Sequence, residues 1–228
     1  ANPDINLNVE VVSWNDIYTV VNTRIANGEA PDVLNIDVFA DYQADDLLLP
    51  IQDVVSEETY SKMYDAFLAQ SEVDGTVWAI PDLASARAMY YNKDILDAAG
   101  VEVPTTWDEF EEVLQKLSDA DIQPLTTGGS DKWGATRLIN AYAVRTAGND
   151  IMTKAADGEV PYTDEKLVAA ADKIAEWAEK GYFGEGITTV DMNTAGSMLM
   201  SGKAAIFYNG SWFTQNLTDD SQNPAGED

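Results

Sequence analysis

The sequence predicts an α/β protein, because strand-like and helix-like patterns alternate along its 228 residues instead of falling into separate blocks. Ile5, Leu7, Val9 and Val11 alternate with polar residues as a half-buried strand does. Trp14, Ile17, Val21 and Ile25 then follow at helical spacing up to Gly28, behind a capping-box pattern of Ser13 and Asp16. Hydrophobic residues make up 45% of the chain and aromatics 10%, enough for a sizeable core in one large domain or two small ones at about 100–200 residues per domain.

The elements follow in order. Pro31 opens the apolar run Val33-Leu34-Asn35-Ile36, a second strand; if it lies parallel to the first, the residues just after Ile36 fall at a carboxyl edge, where open α/β sheets bind ligands. Ser56 caps a helix with Tyr60, Met63, Tyr64 and Phe67 on one face, and Asp74-Gly75 reads as the turn of a hairpin running to Ile80 and ended by Pro81. Ala86 to Tyr91 is extended, and Asn92 starts a short helix that stops at Gly100. Thr106-Trp107-Asp108-Glu109 is a capping box for a helix buried through Phe110, Val113, Leu114 and Leu117. A strand at 124–127 and helices at 132–147 and 164–180 come next, the last with Leu167, Ala171, Ile174 and Ala178 inward. A helix near 194–200 and a strand at 204–208 complete the pattern, and 218–228 reads as loop or frayed end. The composition shifts near Pro81 to Ala88, which makes that stretch the one candidate domain boundary.

Composition excludes much. Thirteen basic against forty acidic residues leave a net charge of −27, which repels nucleic acid and anionic lipid surfaces. The chain has no Cys and no His, so thiol catalysis, disulfides, Cys/His zinc sites and Ser-His-Asp arrangements are all outside its chemistry. Asp37, Asp41 and Asp45 lack the Gly and closing Glu of a calcium loop, so no metal is expected, and no phosphate loop or dinucleotide fingerprint calls for a cofactor. No apolar run reaches the ~18 residues of a membrane span, and Ala1 to Asn8 lacks a basic and apolar leader; any targeting segment is expected to have been removed.

Several strings resemble the extracellular solute-binding proteins of bacterial carbohydrate ABC transporters, the group that includes maltose-binding protein. They are Gly28-Glu29-Ala30-Pro31-Asp32-Val33, Asp74-Gly75 with Trp78-Ala79-Ile80-Pro81, and Tyr90-Tyr91-Asn92-Lys93-Asp94-Ile95-Leu96. Ala99-Gly100-Val101 with Pro104 to Phe110 follows, then Gly202-Lys203-Ala204-Ala205 with Asn209-Gly210-Ser211-Trp212. The resemblance implies a type II periplasmic-binding-protein-like fold of two α/β lobes with a hinge and a ligand cleft. It assigns 1–84 to a partial N-terminal lobe, without its first strand and returning segment, and 85–228 to most of the C-terminal lobe. Family members are longer, so a fragment is expected.

A sugar site needs aromatic faces for the apolar side of a pyranose, and carboxylates or amides for its hydroxyls. Trp212 follows a strand at a Gly-Ser turn, where it has no helix face to bury, and the resemblance places a sugar-stacking aromatic at this string. Trp133 stands at a helix start after Gly128-Gly129-Ser130-Asp131. Asp37 and Phe39 follow the second strand, in a loop the family uses on sugar. Asp82, Ser85 and Arg87 lie where its first inter-lobe crossover runs, and a guanidinium there can fork to two hydroxyls. Asn209 completes the set. Trp14, Trp78, Trp107 and Trp177 read as structural, and the acidic run at 108–112 as a solvated helix face.

The expected function is therefore binding without catalysis. The chain would be the substrate-binding component of an importer, a monomer that needs no cofactor and passes a sugar or oligosaccharide to ABC permease subunits. It would work outside the cytoplasmic membrane, either periplasmic or tethered as a lipoprotein. Two alternatives remain at this point: a carbohydrate hydrolase using a carboxylate pair, or a receptor of the same fold for a non-sugar solute.

Overall fold

The computed structural model describes residues 4–219 and divides the chain into two compact units, Ala1–Ala84 and Ser85–Asp228. The tail read as loop or frayed end lies outside the described residues from 220 onward.

In the first unit, helix α1 spans Ile17–Ala26 and is followed by the short helices α2 (Ala40–Ala44), α3 (Ile51–Val54), α4 (Glu57–Tyr60) and α5 (Asp65–Leu68). Strands β1 (Glu72–Val73) and β2 (Thr76–Val77) form the expected hairpin, in register Glu72↔Val77. Its turn places Asp74 at φ 50° and Gly75 at φ 79°, the pair of positive values that a right-twisted two-residue hairpin requires.

Several expectations fail in this unit. Neither 5–11 nor 33–36 is a strand, and Val11 is 92% exposed. A strand is held by its ladder, and among the described residues neither segment has a partner to complete one. The sheet edge expected beside Asp37 and Phe39 is accordingly not formed. Ser13 does not cap α1 through its side chain: its hydroxyl donates to the Asp16 carboxylate at 2.9 Å, while its main-chain carbonyl receives the N–H of Ile17. Trp14, expected to pack on the following turn, is 60% exposed.

The single helix expected after Ser56 is two one-turn helices. Ser56 does cap α4, accepting from the Thr59 N–H at 3.2 Å, but the chain turns extended at Tyr64. That break sends Tyr60 and Met63 onto the small core of Ile51, Leu68 and Val77, and leaves Tyr64 and Phe67 outside.

The second unit is built around strand β5 (Ile206–Gly210), whose five residues are all buried. It pairs antiparallel with β3 (Arg87–Tyr91) and parallel with β4 (Leu125–Thr126), in the order β3-β5-β4. Alternation along β5 feeds two cores. Ile206 and Tyr208 join Leu96, Phe110, Leu114, Leu117, Leu138 and Trp177, whereas Phe207 joins Met192, Ala195, Leu199 and Phe213. The helices that cover these faces are α6 (Lys93–Ala98), α7 (Trp107–Asp119), α8 (Trp133–Ala147), α9 (Ile151–Ala156), α10 (Glu165–Glu179) and α11 (Met192–Met200). After β5 a 3-10 turn over Ser211–Phe213 leads into α12 (Thr214–Leu217).

Helix α7 matches its sequence pattern closely. Thr106 accepts from the Glu109 N–H, the Glu109 carboxylate accepts from the Thr106 N–H, and the buried residues are Phe110, Val113, Leu114 and Leu117. Helix α10 departs from its pattern: Leu167, Ala170, Ile174 and Trp177 face inward, not Ala171 and Ala178. Burying the large indole outweighs burying two alanines, and it rotates the inward stripe by a residue. Helix α9 was not anticipated; it buries Ile151 and Ala155 against α8 and α10 after α8 stops at Gly148.

The capping box gives a stability prediction. Thr106→Ala is expected to cost about 1 kcal/mol, seen as a lower denaturant midpoint at unchanged slope. Hydrogen bonds from Thr105, and then from Thr106, hold the Glu109 carboxyl below the usual glutamate range. Its contribution is thus complete above the ordinary carboxylate range and is lost as pH falls through the depressed value. Glu109→Gln should therefore flatten the acid limb of the stability curve.

Candidate functional site

The exit of β5 builds the site. Gly210 stands opposite Arg87 in the β3–β5 ladder, and the next residue is stapled twice to Ala86, the residue just ahead of β3. The Ser211 N–H donates to the Ala86 carbonyl at 2.8 Å, and its hydroxyl accepts from the Ala86 N–H at 3.3 Å. This fixes the turn that carries Trp212. The indole lies directly over Gly210: a Cβ there would stand 2.2–2.5 Å from its Cζ3, Cη2 and Cε3 atoms. Asn209 sits beneath at 4% exposure, and its side-chain carbonyl accepts the Gly210 N–H at 2.8 Å. Asn209 therefore acts on the site through the backbone that supports Trp212.

Trp133 reaches the same place from the start of α8. The loop before it is wedged, since a Cβ on Gly128 would meet Met192 Cγ at 2.5 Å and one on Gly129 would meet the Ile187 carbonyl at 2.3 Å. Asp131 accepts the Met192 N–H at 2.7 Å, and the Ser130 N–H donates to Val190 at 3.0 Å. Lys132 then takes φ 63°, a left-handed conformation that costs a non-glycine residue on the order of 1–3 kcal/mol. The packed loop sustains it, and the helix opens on Trp133.

Between the two indoles lies Arg87. Its guanidinium carbon is 4.5 Å from the Trp212 ring centroid and 5.4 Å from that of Trp133, and the rings are 6.3 Å apart at 57°. Both distances are within the range of cation–π attraction. Burial lowers the Arg87 pKa, with the nearby charge of Arg137 acting in the same direction. One of its terminal nitrogens, Nη1, is buried without a hydrogen-bond partner. Trp212 remains 37% exposed, so indole surface is left for a ligand to stack on. Burial also raises the Tyr208 phenol, against the opposing pull of Arg87, Arg137 and Arg145.

The structure thus brings together Arg87, Trp133 and Trp212, with Asn209 underneath and Ser85 exposed just ahead of β3. Asp37, Phe39 and Asp82 belong to the first unit. There the Asp37 carboxylate accepts the Tyr18 hydroxyl, which in turn accepts the Val38 N–H at 3.0 Å. Phe39 is half-buried at the start of α2, and Asp82 accepts from the Asn35 amide at 2.5 Å. Sequence reasoning missed Arg137, Arg145, Tyr208 and Gly210. Spacing could have found Arg137, which is one helical turn after Trp133. Among the described residues, no three acidic side chains converge as a metal site would need, and no helix is long and apolar enough to cross a membrane.

Gly210 supplies a test of this geometry. Gly210 has φ −84°, open to any residue, so Gly210→Ala strains no backbone and acts only by pushing the indole aside. The fold should persist by far-ultraviolet circular dichroism, while the near-ultraviolet tryptophan signal changes.

The family described as bacterial extracellular solute-binding protein matches residues 1–228. The chain belongs to this family. This solute-binding chain is 24% identical over 217 residues to the multiple sugar-binding protein of Streptococcus mutans, a match covering 92% of the chain and 51% of that protein. It is 28% identical over 167 residues to the osmoprotective compounds-binding protein of a Synechocystis species, covering 69% of the chain and 40% of that protein. Among solved structures, a chitin oligosaccharide binding protein superposes with a TM-score of 0.85 at 25% identity, over 97% of this chain and 56% of that one. The chain spans about half the length of the curated relatives it matches. Its α/β fold is that of type II periplasmic solute-binding proteins. The family is described as extracellular, and a further relative, from Rhizobium meliloti, is named a probable sugar-binding periplasmic protein.

Proposed function

We propose that the chain belongs to the solute receptor of an ABC importer, and that it captures a sugar or oligosaccharide on Trp212 and Trp133. The observation that carries this reading is the Trp212–Arg87–Trp133 group: two indoles around a guanidinium that has an unpaired donor, on a turn locked to the sheet. Such a group can stack on the apolar face of a pyranose and take its hydroxyls in pairs. The sugar-binding relative and the chitin oligosaccharide neighbour support the same ligand class.

In this reading, residues 1–84 and 85–228 contribute to the two lobes of the receptor. Asp37, Phe39, Asp82 and Ser85 are further candidates for polar and aromatic contacts to the sugar. The receptor works as a monomer outside the cytoplasmic membrane, periplasmic or lipid-anchored, and hands its cargo unchanged to the permease. No catalytic step is needed. Among the described residues no carboxylate pairs with Arg87, and the charge near it is the like charge of Arg137.

A thermal-shift titration against mono- and oligosaccharides tests the reading. A saccharide present at about 100 times its dissociation constant should add about 2.7 kcal/mol of stability. Absence of any saturable shift, or release of shorter sugars by the protein, would count against it.

A further inference from the structure

In a chain with three acids for every base, a basic side chain is expected to sit beside a carboxylate. Arg24 does so, and so do Lys62, Lys93, Lys154, Lys173 and Lys180. Lys116, Lys132, Lys166 and Lys203 have no ion pair among the described residues, and neither do three of the four arginines, Arg87, Arg137 and Arg145. These three arginines also converge: Arg137 acts on Arg87 as a like charge, and all three act on the buried Tyr208. Like charges near one another repel, most where water is partly excluded, as at half-buried Arg87; Arg137 and Arg145 are exposed. Among the described residues these three cations have no counter-ion, so their charge is open to a ligand.

The fold arranges them along a line. Arg137 and Arg145 lie on α8 one and three positions along the i, i+4 row that starts at Trp133. Arg87 opens β3, and its same-face neighbours Met89 and Tyr91 line a cavity of about 740 Å³ together with Arg145, Thr105, Trp107 and Ile206. The arginines on β3 and α8 therefore run from the two indoles, at Arg87, to a cavity of small-ligand size, at Arg145. At the aromatic end, the buried Nη1 of Arg87 lacks an acceptor.

We propose that the saccharide carries negative charge, as carboxylates or sulfate esters, that Arg87 binds the anionic group of the ring stacked on Trp212, and that Arg137 and Arg145 take anionic groups on the following rings. This rests on the saccharide-receptor reading above and specifies its ligand. The overall charge of −27 does not oppose it at contact distance, because salt screens surface charge beyond about 8 Å at physiological ionic strength. The guanidiniums act inside that distance, and their planar forks match the oxygens of carboxylate and sulfate groups.

Calorimetric titration of the chain with matched pairs tests the proposal. The pairs are trigalacturonate against its methyl ester, which keeps the sugar and removes the charge, and a sulfated chondroitin disaccharide against its desulfated form. The acidic member of at least one pair should bind about tenfold tighter or better, as a hydrogen-bonded charge allows, and the pair that responds identifies the anion. Arg137→Gln and Arg145→Gln, at exposed helix positions where Gln is as good a helix former as Arg, should each weaken that binding about fivefold without lowering the melting temperature. Neutral members binding as tightly as acidic ones would overturn the proposal and leave the receptor reading standing. So would acidic members binding equally well to both variants. No binding by any saccharide, charged or neutral, would overturn both.

Discussion

Trp212→Ala is expected to weaken saccharide binding by about 30-fold or more, the loss of roughly 2 kcal/mol that marks an aromatic at the centre of a binding site. The indole is laid over Gly210, faces the Arg87 guanidinium at 4.5 Å, and still exposes a third of its surface. Its removal takes away the stacking surface and the ring that orients Arg87. Because that surface is open to solvent, the melting temperature of the free protein should hardly change, and Trp212→Phe should recover part of the affinity. Calorimetry on the three proteins checks this; equal affinities would remove Trp212 from the site.

Trp177→Ala should show the reverse pattern, a loss of about 3–5 kcal/mol of stability, as large-to-small changes at fully buried aromatics produce. Trp177 is 0% exposed and has ring neighbours at Phe110 (5.5 Å), Tyr142 (5.9 Å) and Trp107 (6.0 Å), so it ties α10 to α7 and α8. Its indole N–H is buried without a partner, a group whose deletion carries a gain. Trp177→Phe, which removes that N–H and keeps a ring, should therefore cost clearly less than Trp177→Ala. Denaturant unfolding of both variants measures the difference. A destabilisation under 1 kcal/mol for the alanine would show that this cluster does not hold the unit together.

The elements that were legible in the sequence are those fixed by local chemistry. The capping box at Thr106 and Glu109, the Asn92 cap and the Asp74-Gly75 turn each depend on residues within four positions of one another, and each forms as the pattern predicts. What failed depends on distant partners. Residues 5–11 alternate well, yet alternation only describes a strand that has a neighbour to pair with. In α10 the pattern of alanines suited either phase, and the choice was made by Trp177 fitting against α7 and α8. The site divided in the same way. Trp212, Trp133 and Arg87 stood out individually by residue type and turn context, but their meeting depends on the Arg87↔Gly210 register and the Ser211–Ala86 staple, which link residues more than a hundred positions apart. Arg137 was open to detection by its spacing from Trp133, whereas Arg145 and Tyr208 were missed because their surroundings are set by residues distant in the chain.

The most direct measurement is the nuclear magnetic resonance spectrum of the indole N–H groups, six in this chain, with and without the tightest-binding saccharide of the panel. The account predicts that the Trp212 and Trp133 resonances move on titration, while that of Trp177, fully buried in the core, stays in place. A ligand that shifts Trp14 or Trp78 and leaves Trp212 and Trp133 unmoved would contradict it.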